Sequence, residues 1–246
     1  MDSKARTQLA QDLVARTASE YPLLIGGVYG STTRGEDTAW SDLELWFVVE
    51  DGCDAQGRHI LFRDIAVGWR VYRESELVEI LTHPDGRWPF LMGVLDVLQV
   101  LHGNPKKVQE WLALGRVAPL ERFHAHLAKV LPELIVESHG RMHSAFLRND
   151  LATFRYSLDE VLFEMRPALC LLNRRWVTRD YDAGLLQTLD FPKLPTEYTE
   201  LIPAILAAWD FSSLPLADRL VKGFWDLVAA EQIEVVNYHH VDQVPV

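Results

Sequence analysis

The chain has 246 residues, of which 48% are hydrophobic and 24% are charged, and its formal net charge is −11. This composition excludes a disordered or fibrous protein and is sufficient for one large or two small domains with buried cores. The negative charge argues against general nucleic-acid binding, which needs clustered lysine and arginine, and favours a cationic ligand.

The first hundred residues alternate helix and strand. Residues 3–20 have helical periodicity, and "LLIGGVYG" and "DLELWFVV" are predicted to be short strands separated by a glycine turn and a loop. "RHILFRDIAV" and "WRVYRE" are predicted to be two strands that meet at Val67-Gly68, followed by a helix in "ESELVEILT". This order predicts a small mixed β-sheet with flanking helices.

Helical patterning dominates from about residue 105 onward. It covers "NPKKVQEWLAL", "LERFHAHLAKVLPELIVESHGRMHSAFL", "FRYSLDEVLFEMRPALCLLNRRWV" and "LPLADRLVKGFWDLVAAEQIE". The second of these, which is rich in histidine, is predicted to be one helix. We therefore expect an α+β fold with an N-terminal domain over residues 1–110 and an all-helical bundle domain over residues 111–246.

Signals for export and for membrane insertion are missing from this sequence. The N-terminus lacks a basic segment followed by an apolar one, and no long apolar stretch is without charge. Cys53 and Cys170 form neither a disulfide framework nor a zinc-binding spacing. These observations predict a cytoplasmic protein with no membrane partner.

Two carboxylates interrupt the apolar strand "DLELWFVV". Because side chains alternate along a strand, Asp42 and Glu44 are predicted to share one face, about 7 Å apart. Hard oxygen ligands of this kind suit Mg²⁺, which binds through one or two carboxylates together with substrate phosphates. The plain alternative is the polar face of a half-exposed strand.

The Gly30-Ser31 pair lies between the two strands, at a predicted turn. Small residues there allow a polyphosphate to approach the backbone closely, and Arg34 is a candidate cationic contact. The plain alternative is an ordinary turn, but the combination of this turn with the two carboxylates favours a nucleotide site. Trp40, in the same segment, is a candidate to line it.

The stretch "GSTTRGEDTAWSDLE" resembles the signature of the polymerase-β-type nucleotidyltransferase superfamily. That signature is Gly-Ser, a spacer, and Asp-x-Asp or Asp-x-Glu. "RWPFLMG" and "ERFHAHLAKVLPELIVESHGRM" further resemble segments of the kanamycin nucleotidyltransferases, which are aminoglycoside 4′-O-adenylyltransferases. The resemblance covers most of the chain and weakens after about residue 150.

The resemblance implies roles for residues in the predicted helix "LPELIVESHGRM". Helical spacing places Glu133, Glu137 and Arg141 on one face, a pattern also typical of solvent-facing charge pairs. By alignment, Glu137 corresponds to the general base that takes a proton from the attacking hydroxyl. Arg141 corresponds to a lysine that contacts the nucleotide phosphates.

A third carboxylate commonly completes sites of this superfamily. Here the candidates are Asp64, expected in mid-strand, and Glu74, at the end of the next strand. The alignment to the family needs a gap in this region. In one register of that alignment, Tyr72 lies where an acid is expected. An equally open alternative is that Asp64 pairs with Arg63 or Arg70 and binds no metal.

The function implied is transfer of AMP from Mg²⁺-ATP to the 4′-hydroxyl of an aminoglycoside antibiotic, a resistance reaction. The family enzyme is a homodimer in which the base comes from the partner subunit. Candidate contacts to the cationic drug are Glu36, Asp37, Asp64, Glu74, Glu133 and the acidic segment 181–246.

Two other functions stay open at this stage. One is nucleotidyl transfer to another acceptor, such as a lincosamide, a protein hydroxyl or an RNA end, although the net acidity counts against RNA. The other is a non-catalytic nucleotide-binding module or antitoxin-like partner. His139 and His143 are a pair with helical spacing in a histidine-rich segment, but without an HExxH pattern no metal is assigned to them.

Overall fold

A computed structural model describes residues 3–133 and 135–244. The described residues exclude 1, 2, 134, 245 and 246. The predicted domains include these five residues, and the helix predicted over 120–147 includes Leu134. The chain forms two compact units, one ending at Pro119 and the other beginning at Leu120.

The first unit contains one mixed β-sheet with helices. Its elements are α1 (Ser3–Glu20), β1 (Leu23–Tyr29), α2 (Ser31–Arg34), β2 (Leu43–Val49), β3 (Arg58–Phe62), β4 (Ile65–Arg73), α3 (Glu74–Thr82), α4 (Trp88–Val97), β5 (Gln99–Gly103) and α5 (Pro105–Arg116). The strand order is β3-β4-β2-β1-β5. Strands β2 and β4 are parallel and the other neighbouring pairs are antiparallel. The predicted α+β class is confirmed.

The central strand β2 is buried on both faces. Leu43, Leu45 and Phe47 on one face belong to the same core cluster as Leu9 and Val14 of α1. Burial of large apolar side chains is worth about 1.5–3 kcal/mol each, so this contact is a main source of stability for the unit.

On the opposite face, the indole ring of Trp46 packs against Tyr72 and against Trp111 of α5, with ring centroids 5.8 and 6.5 Å apart. Glu44 occupies the same face of β2 as Trp46, because the two residues are separated by one position. This face therefore carries both an aromatic core and, toward the start of β2, a carboxylate.

The predicted junction at Val67-Gly68 is wrong. Strand β4 runs through both residues, and the chain reverses instead at Arg63 and Asp64, which have positive φ of 47° and 65°. Two residues with positive φ form the compact hairpin loop that best matches strand twist. The turn was missed because such loops usually contain Gly or Asn. Strand β5 was also not predicted.

The described residues of the second unit form helices joined by turns and irregular segments, without a strand. Its helices are α6 (Leu120–Val130), α7 (Val136–Leu147), α8 (Leu151–Asn173), α9 (Tyr181–Gln187), α10 (Tyr198–Ala208) and α11 (Leu214–Ala230), with short 3₁₀ turns at Thr188–Asp190, Phe211–Ser213 and Val241–Gln243. Helix α8 is the longest of these and packs along α7. No described helix is long and apolar enough to cross a membrane.

The long helix predicted over residues 120–147 is two helices. Helix α6 ends at Val130, shortly before Pro132, and Ile135 has a positive φ of 69° immediately before α7. Proline cannot donate a helical hydrogen bond and disfavours helix in the residue before it. Glu164 of α8 accepts from the Ile135 amide at 2.7 Å and from the Ser138 hydroxyl at 3.0 Å, which fixes the start of α7.

Candidate functional site

The Gly-Ser pair forms a tight turn at the end of β1. Gly30 has φ 79° and ψ −149°, a conformation essentially restricted to glycine, and α2 begins at Ser31. The hydroxyl of Thr33 donates to the Gly30 carbonyl oxygen at 2.9 Å. Sequence reasoning placed the turn correctly, and the backbone geometry explains why glycine is needed there.

Glu44 lies directly against this turn. It is paired with Tyr29 across the antiparallel β1–β2 ladder, one residue before Gly30. A Cβ atom at Gly30 would lie 1.9 Å from Glu44 Oε2, far inside contact distance. The structure therefore brings the Gly-Ser turn and the second carboxylate of the motif into direct contact.

Asp42 precedes β2 by one residue and is exposed. Leu43, between the two carboxylates, is fully buried. If strand alternation continued one residue before β2, Asp42 would share the side of the sheet on which Glu44 lies. Their oxygen donors are those that Mg²⁺ prefers.

Arg6 of α1 holds the segment that leads to Asp42. Its side chain is completely buried, and its guanidinium donates to the carbonyl oxygens of Thr38 at 2.8 Å, Ala39 at 3.2 Å and Asp42 at 3.3 Å, and also to that of Ser41. One cation thus binds four carbonyl groups, of which that of Thr38 also accepts from the Ser41 amide. Arg6 therefore positions the backbone on which Asp42 is carried.

Asp37 is the acidic partner of Arg6. The two side chains form an ion pair at 3.5 Å, and only 4% of the Asp37 side chain is exposed. The Ser3 hydroxyl donates to the other Asp37 oxygen at 2.9 Å. The carboxylate of Asp37, a predicted candidate contact to a cationic drug, is thus buried and engaged within the protein.

The third-carboxylate candidates do not lie beside Asp42 and Glu44. Gly68 of β4 is the residue paired with Glu44, and the register continued by one residue places Ala66 level with Asp42. Asp64 is not in mid-strand as expected but exposed in the β3–β4 hairpin turn. The positions of β4 level with the two carboxylates are therefore small and uncharged.

Glu74 lies at the other end of the sheet. It follows Arg73, which is paired with the last residue of β2, whereas Glu44 is near the start of that strand. Six residues of extended chain span about 20 Å. Glu74 also forms an ion pair with Lys107 of α5 at 2.7 Å. This placement separates Glu74 from the predicted metal ligands.

Arg34 and Glu36 are paired with each other. Arg34 Nε donates to Glu36 Oε2 at 2.8 Å, just beyond the short helix α2. The predicted phosphate ligand and the predicted drug contact thus engage one another in the structure. Trp40, in the loop between α2 and β2, has 96% of its surface exposed and is not part of the core.

Arg70 was not singled out as a phosphate ligand from sequence, yet it lies on the carboxylate face of the sheet. It is paired with Trp46 across the β2–β4 ladder and is exposed, and its guanidinium lies 4.9 Å from the ring centre of Phe90 in α4. The ring of Phe90 also packs edge-on against that of Tyr29, with centroids 6.3 Å apart. The face beside Glu44 is therefore bordered by one cation and two aromatic rings.

In the second unit, the candidate base Glu137 lies in the first turn of α7 and is exposed. Arg141, one turn later, donates to it at 2.6 Å and also to Glu160 of α8. The hydrogen bond to Glu137, together with the nearby charge of Glu160, raises the pKa of Arg141 above its ordinary value. The predicted phosphate contact is held between two carboxylates.

Glu133 is not on the helix that carries Glu137. It lies in the turn between α6 and α7 and is exposed. The predicted stack of Glu133, Glu137 and Arg141 is therefore reduced to its last two members, for the same reason that the predicted long helix is broken. Glu133 is available to solvent but is not aligned with the pair.

Comparisons with known proteins add a distant likeness. No family model matches the chain. No curated protein matches it. Among solved structures, the chain is similar to a nucleotidyltransferase-like protein from Exiguobacterium sibiricum 255-15, with 12% identity, a TM-score of 0.48, and coverage of 92% of this chain and 75% of that one. This level of likeness carries no argument about family or activity.

The chemistry open to the first unit follows from its own residues. Two hard oxygen donors, a glycine turn that tolerates close approach and small neighbouring positions on β4 fit a hydrated divalent cation with a phosphate group. The imidazole of His59 in β3 lies against Gly68, the residue of β4 that is paired with Glu44.

Proposed function

We propose that the protein is a Mg²⁺-dependent nucleotidyltransferase. The observation that carries this proposal is the contact between the Gly30 turn and Glu44. Asp42, two residues before Glu44 in the sequence, would be the second carboxylate. A turn that accepts a phosphate and a pair of carboxylates that binds the phosphate-associated cation must be neighbours for this chemistry. The resemblance of "GSTTRGEDTAWSDLE" to the superfamily signature supports the same conclusion.

Each residue would have a defined task. Asp42 and Glu44 would hold Mg²⁺, which when bound neutralises charge on the phosphates. Gly30 and Ser31 would offer the backbone and a hydroxyl to the triphosphate. Arg34 would exchange Glu36 for a phosphate oxygen when ATP binds.

The transfer would be an in-line displacement at the α-phosphorus. The acceptor oxygen forms a bond to that phosphorus, the bond to the bridging oxygen of the β-phosphate breaks, and pyrophosphate leaves. The hydroxyl proton passes to Glu137, the candidate base by resemblance. Arg141 would contact a phosphate only after releasing Glu137 or Glu160, with which it is paired.

For the acceptor, we propose the 4′-hydroxyl of an aminoglycoside. The support is the resemblance to kanamycin nucleotidyltransferases and the net charge of −11, which suits a polycationic substrate. Of the predicted drug contacts, Asp64 and Glu133 are exposed, whereas Glu36 and Glu74 are in ion pairs. Drug binding through the latter two would require exchange of their partners.

The experiment is incubation of the full chain with labelled ATP, Mg²⁺ and a panel of acceptors. We expect pyrophosphate release and an adenylylated product with kanamycin or tobramycin. Transfer to a lincosamide or to a protein hydroxyl, but not to an aminoglycoside, would support nucleotidyl transfer and contradict the proposed acceptor. ATP binding without transfer to any acceptor would identify a binding module and contradict the enzymatic proposal.

Variants separate the metal site from general damage. Asp42→Asn and Glu44→Gln are expected to abolish Mg²⁺-dependent transfer. Glu50→Gln changes an exposed acid just after the other end of β2 and is the matched control, expected to retain activity. Full activity of Asp42→Asn would contradict the mechanism whatever the acceptor.

The expected homodimer with a shared site is a separate proposal that rests on the resemblance. It is tested by mixing two inactive proteins, Asp42→Asn and Glu137→Gln, under conditions that allow subunits to exchange. Recovery of activity in the mixture is expected if the base acts on the partner's nucleotide. If the mixture has the mass of a dimer and is still inactive, Asp42 and Glu137 of the same subunit act together.

A further inference from the structure

Two histidines and an aspartate converge between α7 and α11. His139 and His143 are one turn apart on α7, and their Nε2 atoms lie 2.8 and 2.7 Å from the same oxygen, Oδ1 of Asp218. One ligand atom from each residue lies within 4.8 Å of the other two. Residues 75 positions or more apart along the chain are thus brought to one point by helix packing.

Helical spacing explains how both rings reach that point. Residues separated by four positions stack on one helix face, and the two imidazole rings are in edge contact with centroids 4.8 Å apart. Asp218 is in the first half of α11, which packs against α7. The cluster belongs to the second unit and is independent of Asp42 and Glu44.

Either a hydrogen-bond network or a shared cation accounts for this arrangement. With no cation present, both Nε2 atoms must carry a proton and donate to the same carboxylate oxygen. With a cation, both Nε2 lone pairs and the carboxylate oxygen point at one ion. The cluster therefore places two imidazole nitrogens and one carboxylate oxygen, three metal-ligand atoms, within reach of one ion.

The distances are close to those that a metal site needs. Bonds of about 2.0–2.1 Å at tetrahedral angles hold ligand atoms about 3.3 Å apart. The observed 2.7 and 2.8 Å require an opening of roughly half an ångström, which side-chain rotation supplies. The side chains are 24%, 43% and 40% exposed for His139, His143 and Asp218, so water can enter the remaining positions.

We propose that His139, His143 and Asp218 bind one divalent transition-metal ion of the zinc type. Two imidazole nitrogens and one carboxylate oxygen form a donor set that suits zinc and its neighbours rather than Mg²⁺. The ion links α7 to α11 and so stabilises the helix on which Glu137 is carried. This site goes beyond the proposed nucleotidyl transfer and does not depend on it.

The test uses the full chain stripped of metal with a chelator and titrated calorimetrically with Zn²⁺. The variants Asp42→Asn and Glu44→Gln are each expected to bind one equivalent of Zn²⁺ with high affinity. This result would exclude the carboxylates of the first unit as ligands of that Zn²⁺ ion. His139→Gln, His143→Gln and Asp218→Asn are each expected to weaken binding at least about 100-fold, since loss of even an outer partner costs 10–100-fold.

His83→Gln is the matched control. His83 also pairs with an acid one turn away, since its Nδ1 lies 3.1 Å from Glu79 Oε1. Among the residues that the structure describes, however, His83 belongs to no cluster of three potential metal ligands. This variant is expected to bind Zn²⁺ as the parent does. Undiminished Zn²⁺ binding by the double variant His139→Gln/His143→Gln, or no binding by the parent, would overturn the proposal.

A measurement on the unsubstituted protein protects the test against variants that fail to fold. Co²⁺ in place of Zn²⁺ is expected to give the visible absorption of a four- or five-coordinate site. X-ray absorption at the zinc edge is expected to show two imidazole ligands. Coordination by water and carboxylate oxygens alone would overturn the assignment independently of any substitution.

Discussion

Gly30 and Glu44 are in such close contact that a methyl group at Gly30 would lie 1.9 Å from Glu44 Oε2. Gly30→Ala therefore has two effects, backbone strain at φ 79° and displacement of the carboxylate. The strain costs about 1–3 kcal/mol in stability. Displacement by about 1 Å is expected to lower kcat by roughly 10²-fold, measured as pyrophosphate release at saturating Mg²⁺-ATP.

Gly35→Ala is the control for this substitution. Gly35 also has a positive φ of 66°, but a Cβ there would meet nothing within 4 Å. This variant is expected to lose about 1 kcal/mol of stability and to keep its activity. Equal loss of activity in the two variants would mean that strain in the loop, rather than contact with Glu44, is responsible.

Removal of Arg6 is expected to loosen the segment that carries Asp42. Arg6→Met leaves four carbonyl groups and the Asp37 carboxylate without their buried partner. The free energy of unfolding is expected to fall by about 3–5 kcal/mol, measured by urea denaturation. Arg16→Met, on the same helix but exposed and paired with Glu20, is expected to change it by less than about 1 kcal/mol.

The parts of the site that follow from local pattern were predictable. The glycine turn is where the sequence predicted it. That Asp42 shares the face of Glu44 stays a prediction from alternation in "DLELWFVV", because Asp42 lies just before β2. Arg6 also had a local signal, since it occupies the apolar face of α1 with Leu9 and Ala10 at helical spacing. A lone cation on such a face indicates a buried hydrogen-bond centre.

Other parts depend on tertiary packing that no short pattern encodes. Arg63 and Asp64 adopt positive φ without glycine, so the hairpin turn had no sequence signature. Asp218 reaches His139 only because α11 packs on α7. The break before α7 was visible as Pro132, but the amphipathic pattern on both sides concealed it.

Arg70 is expected to contribute more to nucleotide binding than its position in the sequence suggested. It shares the sheet face of Glu44 and is exposed over Phe90. Arg70→Met is expected to raise the Kd for Mg²⁺-ATP about tenfold, because a charge-assisted contact to phosphate is lost. Arg58→Met removes an exposed cation paired with Trp69, on the opposite face, and should leave Kd unchanged.

Glu137→Gln tests the candidate base. Loss of proton transfer is expected to lower kcat by about 10² to 10⁴-fold while the Kd for ATP stays constant. Glu133→Gln is the control, because Glu133 lies in the preceding turn and not on α7. If both variants lose activity equally, the acidic surface as a whole attracts the substrate and neither residue is the base.

Asp150 gives a prediction for pH dependence in the second unit. It caps α8 by accepting from the Thr153 hydroxyl at 2.6 Å and from the Thr153 amide at 3.0 Å, and these bonds hold the pKa of Asp150 below its ordinary value of 3.8. The folded protein therefore prefers the ionised form. The stabilisation is present above the unfolded-state pKa and is lost as the pH falls through the lower folded-state value.

Asp150→Asn keeps a side-chain oxygen at the cap but cannot ionise. The parent is expected to have the higher melting temperature at neutral pH, and the difference should close as the pH falls below 3.8, because the protonated aspartate then resembles the amide. Melting followed by far-ultraviolet circular dichroism at several pH values measures this. A difference that is constant from neutral to acidic pH would show that shape, not charge, distinguishes the two caps.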